Sequence, residues 1–311
     1  MVAASTTSPL GVLGSGSLTA YWRFQRAVVA AQLQAWLPPQ GRTLLDISGP
    51  GSSVAAQAAQ AGYRVIRVLP AIPLDGEAGP AAGGFPPSRR ENGPPSQRRR
   101  GGTSRRGDPP EPTLGAERRS GGSGGSPPRA NTGSPPRVNI VLADPVRLSF
   151  LADGTVDGVI AEDGALSAHL MAEDILAEIS RVLRPGGQLL ACVDSLVLGM
   201  SILAEQHHWA ELTDLPQAEV VLIPWPDGRI TRCFGPEQLS DLLTEAGLEV
   251  SWIRPRTVLS PSMVDHVLRK EPGAITRLVR AELAAGREES PASVGGGSFG
   301  MYLLAAARKP A

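Results

Sequence analysis

The chain has 311 residues, of which 41% are hydrophobic and 19% are charged, so it can bury a sizeable core. Its 30 basic and 30 acidic residues balance, and we therefore expect neither a nucleic-acid nor a membrane partner. The two cysteines, Cys192 and Cys233, lack the spacing of metal ligands, so no metal site is expected. There is no secretory signal and no apolar stretch of about 18 residues, which favours a cytoplasmic protein.

The first 70 residues predict the order helix, strand, glycine turn, helix, strand. Residues 1–17 are small and polar and are expected to form a flexible tail. Apolar residues then recur at helical spacing until Pro38 stops the helix, namely Trp22, Val29, Leu33 and Trp36. The elements predicted next are a strand at 43–47, a turn at 48–52, an alanine-rich helix at 54–61 and a strand at 64–69. This order is typical of a βαβ unit.

Residues 71–137 break the pattern. The segment is rich in Pro, Gly, Ser and Arg, and it holds 11 arginines against 6 acidic residues. Because it has too little apolar surface to offset the entropy lost on ordering, we predict a disordered insert. The predicted domain therefore comprises residues 18–70 and 138–311.

Strands and helices alternate again from Val138 onward. Predicted strands cover 138–143, 156–161, 189–193, 248–253 and 299–307, and a hairpin pairs 220–223 with 229–234. Predicted helices cover 175–183, 197–209, 236–246 and 264–285, and the first of these ends at the Arg-Pro-Gly-Gly segment 184–187. Such alternation indicates a mostly parallel α/β sheet with helices on both faces, which binds its ligand at the carboxyl ends of the strands.

Four motifs appear in the same order as in a known family. They are the strand 44–47 with its glycine turn, the pair ADPVRLSF at 143–150 and DGTVDGVI at 153–160, RVLRPGG at 181–187, and FGPEQL at 234–239 with EAGL at 245–248. Together they resemble the class I S-adenosylmethionine-dependent methyltransferases, and the type-11 methyltransferase domain in particular. The resemblance implies a Rossmann-like, mostly parallel seven-stranded sheet in a single domain.

The resemblance also implies a cofactor, S-adenosylmethionine, and a set of residues that bind it. Asp46 would serve the amino end of the cofactor, and Asp144 would accept from the adenine amino group. The expected cofactor-binding residues are Asp46, Ser48, Gly49, Gly51, Asp144, Pro145 and Glu162. His169 is a candidate catalytic base, although relatives often have a histidine there for structural reasons. The implied activity is transfer of a methyl group to an unidentified acceptor, for which a small molecule is the default.

Two features depart from the family pattern. The glycine turn at 46–52 is one residue short, and Leu69-Pro70 stands where the family places an acid for the ribose hydroxyls. Asp75 and Glu77 are the nearest acids that could substitute. We therefore expect weaker cofactor binding than is usual for the family.

Two other functions fit the sequence less well. A nicotinamide- or flavin-binding protein would need a third glycine after Gly49 and Gly51, which is missing. A non-catalytic methyltransferase-like binding module is the second alternative, because the ribose acid is lost and the insert replaces a helix.

Overall fold

The structure describes seven segments of the chain. A computed structural model covers residues 15–37, 43–49, 51–70, 138–215, 218–225, 227–286 and 300–311. All of them lie in one compact unit. The insert predicted at 71–137 lies outside the described residues, as do residues 1–14 of the predicted tail. Residues 15–17 of that tail are helical, because the first helix begins at Ser15.

A central sheet of seven strands organises the fold. In chain order the strands are β1 (Thr43–Asp46), β2 (Arg64–Leu69), β3 (Val138–Leu142), β4 (Val156–Ala161), β5 (Leu183–Asp194), β6 (Val221–Pro224), β7 (Ile230–Cys233), β8 (Glu249–Arg256) and β9 (Tyr302–Arg308). The sheet order is β3-β2-β1-β4-β5-β9-β8, and β6 pairs with β7 as a separate hairpin. Strands β1 to β5 pair in parallel, whereas β9 runs antiparallel to β5 and β8. The carboxyl ends of β1 to β5 and of β8 therefore meet at one edge, called the carboxyl edge below.

Helices cover both faces of this sheet, as predicted. They are α1 (Ser15–Trp36), α2 (Val54–Gln60), α3 (Ala172–Val182), α4 (Leu196–Glu205), α5 (Trp209–Asp214), α6 (Pro236–Glu245), α7 (Pro261–Lys270) and α8 (Ile275–Ala285). Because side chains alternate along a strand, Leu45 joins the core beneath α3 and α6, while Leu44 joins the core beneath α1 and α2. The central strand β4 is buried at every position, whereas β3 at the sheet edge is mostly exposed.

Two predicted helices were wrong in extent, since each is broken in two. The helix predicted at 197–209 ends as α4 at Glu205, and His207 then adopts a positive φ of 59° before α5 begins. The helix predicted at 264–285 is divided into α7 and α8 by a 3₁₀ turn, Pro272–Ala274. A proline has no N–H and disfavours helical geometry in the preceding residue, here Glu271 at φ −142°.

The Arg-Pro-Gly-Gly segment at 184–187 follows the end of α3 at Val182, as predicted, and forms a bulge at the start of β5. Pairing with β4 shifts from Val156 opposite Leu183 to Gly158 opposite Gln188. Gly186 has a φ of 76°, and a side chain at Gly187 would lie 2.9 Å from the Arg184 carbonyl oxygen. The motif therefore serves sheet geometry, because only glycine fits both conditions.

The β6–β7 hairpin, predicted from the sequence, packs with α4 and α5 on a small core of its own that includes Ile202 and Ile223. We call these elements the hairpin layer. The Arg232 N–H donates to the Ser167 carbonyl at 2.8 Å, and the Phe234 N–H donates to the Asp194 carbonyl at 2.9 Å. These bonds join the hairpin layer to the carboxyl edge. Among the described helices, none is long and apolar enough to cross a membrane.

Candidate functional site

Asp46 is a fully buried acid at the carboxyl end of β1. Its Oδ1 accepts a hydrogen bond of 3.0 Å from the Ser48 N–H, but no donor among the described residues forms a hydrogen bond with the buried Oδ2. Burial raises the pKa of Asp46 above its ordinary value, and the Ser48 hydrogen bonds and the Arg67 charge offset only part of that rise. Because an unsatisfied buried acceptor is costly, a ligand that brings N–H donors gains binding free energy here.

Arg67 is the cation next to this carboxylate. It lies on β2 directly opposite Asp46, and its Nε is 3.7 Å from Asp46 Oδ2, beyond hydrogen-bonding distance. Its Nη2 donates to the Gly49 carbonyl at 3.0 Å. Arg67 thus fixes the glycine turn and provides a counter-charge for Asp46. This role was not predicted from the sequence, although a charged residue inside an otherwise apolar strand was a usable signal.

A second buried ion pair connects β4 to β8. Glu162, directly after β4, receives two hydrogen bonds from Arg256, Nη1 to Oε2 at 2.6 Å and Nη2 to Oε1 at 2.8 Å. The Arg256 Nε donates to Gln32 on α1 at 2.7 Å, and the Glu162 N–H donates to the Ser48 hydroxyl at 2.9 Å. Both oxygens of the Glu162 carboxylate are therefore engaged within the protein. No short-range pattern pairs residues 94 positions apart, so Arg256 could not be found from the sequence.

A small cavity of about 60 Å³ opens beside the glycine turn at the carboxyl edge. Its lining residues come from the ends of β1 and β2 and from the loops after β3 and β4, namely Ile47, Ser48, Gly49, Val68, Pro70, Pro145, Asp163, Ala165, Ala168 and His169. Four residues proposed from the sequence, Ser48, Gly49, Pro145 and His169, meet at this cavity. Sites for drug-sized ligands usually measure about 300–1,000 Å³. The cavity is therefore large enough for only part of a nucleoside-sized ligand.

Asp163 is the acid that faces this cavity, next to Glu162. Desolvation of its carboxyl group raises the pKa of Asp163 to about 6, and the charges of Glu162 and Asp46 add to the rise. Arg256 and Arg67 act in the opposite direction. Asp163 has a φ of 56°, a left-handed conformation that is uncommon outside glycine.

His169 lines the cavity from the turn before α3. Its Nδ1 lies 2.8 Å from the Ala165 carbonyl oxygen, which can only accept, so Nδ1 carries the proton. In the neutral ring the lone pair is then on Nε2. The position and the tautomer both suit a proton acceptor at the cavity.

The other residues proposed from the sequence are not among those that line the cavity. A Cβ added to Gly51 would meet no described atom within 4 Å, so space is open on that side of the turn. Asp144 is exposed, and its Oδ1 accepts from the Val146 N–H at 3.0 Å in a local turn. Leu69 ends β2 and is half-buried, so the described residues at the end of this strand carry no carboxylate. Asp75 and Glu77 lie outside the described residues.

A further acid, Asp194, ends β5 beneath the hairpin layer. Burial raises the pKa of Asp194 to about 7, whereas a hydrogen bond from Thr231 on β7 and the Arg229 charge lower it. A Cβ on Gly164 would lie 3.4 Å from Asp194 Oδ1, which places this acid against the loop that follows β4. The carboxyl edge thus carries acids at the ends of β1, β4 and β5.

Comparison with known proteins gives a consistent result. Residues 126–191 match the sequence model of a methyltransferase domain family. No functionally curated protein matches the sequence. The fold is similar to that of an S-adenosylmethionine-dependent methyltransferase from Listeria monocytogenes, with 13% identity, TM-score 0.51, and coverage of 93% of this chain and 100% of the other.

Two further structures have TM-scores below 0.5. One is a methyltransferase from Methanosarcina mazei, with 16% identity, TM-score 0.47 and coverage of 90% and 97%. The other is the 1,6-didemethyltoxoflavin-N1-methyltransferase of Burkholderia thailandensis with bound S-adenosylhomocysteine, with 17% identity, TM-score 0.46 and coverage of 100% and 94%.

The sheet order with its one antiparallel strand, β9, matches the fold implied by the sequence motifs. The family match spans β3, β4, α3 and most of β5, the same region that carries the Asp144 and Arg-Pro-Gly-Gly motifs. The chain therefore has the fold of an α/β methyltransferase, and its residues 126–191 match a methyltransferase domain.

Proposed function

We propose that the chain transfers a methyl group from S-adenosylmethionine to a small-molecule acceptor at the carboxyl edge. The observation that carries this proposal is the buried Asp46 Oδ2, which no described donor satisfies, beside a cavity lined by the glycine turn. The cofactor amino group is a cationic donor of the kind that this oxygen lacks. The open space next to Gly51 suits close approach of the cofactor to the backbone.

Each residue proposed from the sequence has a distinct part in this site. Asp46 accepts from the amino end, and Ser48, Gly49 and Gly51 supply backbone beneath the cofactor. Asp144 and Pro145 stand on the adenine side, as the family resemblance implies. Glu162 contributes by holding Ser48 through its N–H, since its carboxylate is bound to Arg256.

S-adenosylmethionine supplies an electrophilic methyl group on a sulfonium, so alignment and exclusion of water account for much of the catalysis. The protein contributes the glycine turn, which Arg67 holds through the Gly49 carbonyl. His169 Nε2 is positioned to receive the proton of a hydroxyl or ammonium acceptor. The balance of 30 basic and 30 acidic residues, and a hairpin layer bonded through the Arg232 N–H to the Ser167 carbonyl, favour a small acceptor over a nucleic acid.

Two observations favour a second candidate, a methyltransferase-like module that binds a ligand without transferring a methyl group. Leu69 cannot accept a hydrogen bond from ribose hydroxyls, and the cavity of about 60 Å³ is small for a nucleoside. In that case the acids of the carboxyl edge would bind a smaller cationic ligand.

Calorimetric titration of the full chain with S-adenosylmethionine and S-adenosylhomocysteine separates the two candidates. Asp46→Asn should weaken binding, whereas Asp153→Asn, which alters an exposed acid paired with Arg181, should leave it unchanged. Methyl transfer is then followed with a labelled donor in a cell extract divided into small-molecule filtrate and retained macromolecules. Label in the filtrate supports the proposal. Absence of binding at millimolar concentration would instead favour the non-catalytic module.

A further inference from the structure

The loop that follows β4 holds two successive residues in left-handed conformation. Asp163 has a φ of 56° and Gly164 a φ of 64°. Glycine adopts such angles readily, but an aspartate does so only when its surroundings favour the conformation. Since Asp163 lines the cavity, the groups that hold this turn also determine where its carboxylate stands.

Glu162 anchors the turn on its upstream side. Its side chain and that of Arg256 are 3% and 4% exposed, and the two are joined by both oxygens. Backbone bonds complete the turn, from the Ala165 N–H to the Glu162 carbonyl at 3.3 Å and from the Ala168 N–H to the Gly164 carbonyl at 2.9 Å. Arg256 thus holds the Glu162 side chain, and the backbone of Glu162 forms part of the turn that carries Asp163.

Arg256 reaches Glu162 from β8, a strand at the edge of the sheet. It ends β8, and both β5 and β9 lie between β8 and β4. The pairing of strands does not require a contact across two intervening strands. Gln32 on α1 holds the guanidinium from a third element, through a hydrogen bond of 2.7 Å to Nε. Strand pairing alone therefore does not bring Arg256 to Glu162, and the ion pair is a separate contact with the loop after β4.

We propose that Arg256 is a positioning residue of the methyl-donor site: through Glu162 it holds the turn at 163–164 so that Asp163 faces the cavity. Asp163 is then the acid of the β4 loop that faces the bound cofactor, and Glu162 acts only through the turn. This assignment to the cofactor rests on the proposed function, whereas the anchoring of the turn does not.

Hydrogen–deuterium exchange of the ligand-free chain tests the anchoring. Arg256→Met alone leaves a buried carboxylate without its partner and is expected to fold poorly, so the main variant replaces both partners, Glu162→Leu with Arg256→Met. We expect exchange of the amides at 162–168 to rise at least tenfold. The matched control is Glu249→Leu with Arg308→Met, an ion pair at the opposite end of β8, which should leave these amides unchanged.

A double-mutant cycle tests the connection to the cofactor. Asp163→Asn should weaken S-adenosylmethionine binding about tenfold in the native background and have no further effect in the Glu162→Leu, Arg256→Met background. Arg256→Lys, which keeps the charge, should retain part of the Asp163 effect. Unchanged exchange, or an equal Asp163 effect in both backgrounds, would overturn the assignment. If the native chain does not bind the cofactor, the proposed function fails. The exchange of the amides at 162–168 then tests by itself whether Arg256 holds the turn.

Discussion

The pH dependence of cofactor binding is the sharpest consequence of the acids at the carboxyl edge. Asp163 has a pKa of about 6, raised by desolvation and by Glu162 and Asp46. S-adenosylmethionine carries a net positive charge, since its sulfonium adds to a balanced ammonium and carboxylate. An ionised Asp163 therefore favours binding, and its protonation removes that attraction. We expect affinity for the cofactor to fall as the pH drops through about 6.

The size of the effect follows from the titration of one group. With a pKa of about 6, the ionised fraction of Asp163 falls roughly tenfold between pH 7 and pH 5. If binding requires the ionised form, affinity falls by about the same factor. The folded-state pKa lies above the ordinary value of 3.8, so this group favours folding at low pH, and that contribution is lost as the pH rises through about 6. A weaker complex at pH 5 therefore cannot be ascribed to unfolding caused by Asp163.

Calorimetry at several pH values measures this dependence, with S-adenosylhomocysteine as the matched ligand without the sulfonium charge. The affinity for S-adenosylhomocysteine should change less with pH than the affinity for S-adenosylmethionine. Asp163→Asn should bind the cofactor at pH 7 about as weakly as the native chain does at pH 5, with a flattened profile. An unaltered profile in Asp163→Asn would refute the reasoning, because another group would then control binding.

Three further substitutions test other parts of the structure. Asp46→Asn should weaken cofactor binding by about 1.5–3 kcal/mol, the value of a hydrogen bond to a charged group, or roughly 10- to 150-fold by calorimetry. Leu69→Asp should bind the cofactor roughly tenfold more tightly, because it restores an acceptor at the end of β2; unchanged affinity would show that the ribose does not reach this strand end. Gly158→Ala should lower the free energy of unfolding by about 1–3 kcal/mol in urea titrations, since its Cβ would lie 2.9 Å from Leu44 and 3.2 Å from Trp36. Gly51→Ala, whose Cβ meets no described atom within 4 Å, is the control for stability.

Most of the fold was predictable because its signals are local. Apolar runs between glycine turns located β1, β2, β4 and the hairpin, and Pro236 marked the start of α6. The errors arose where helix-like periodicity continued across a break. Pro272 ends one such helix. His207 ends the other through its positive φ, which the residue type alone does not predict.

The site was predictable only in part, because its key contacts join distant segments. The position of Asp46 at a strand end could be read from the sequence, as could the glycine turn after it. The ion pair of Glu162 with Arg256 could not, since the partners come from β4 and β8. The expected cofactor role of Glu162 stays a prediction, and the structure adds the reason why Asp163 is the better placed acid.

The charges around the glycine turn explain how this site can favour a cationic cofactor without an acid at the end of β2. Three acids, Asp46, Glu162 and Asp163, lie near this turn, and two cations, Arg67 and Arg256, accompany them. Because Arg256 is bound to Glu162, that pair contributes little net field at the cavity. Arg67 stands near Asp46 but leaves its Oδ2 without a hydrogen bond, so this carboxylate keeps one acceptor for a ligand. Asp163, which faces the cavity, carries a negative charge above its pKa of about 6 and then complements the single net positive charge of S-adenosylmethionine. Methyl transfer removes the sulfonium charge, so the same arrangement favours the substrate over the product and assists product release.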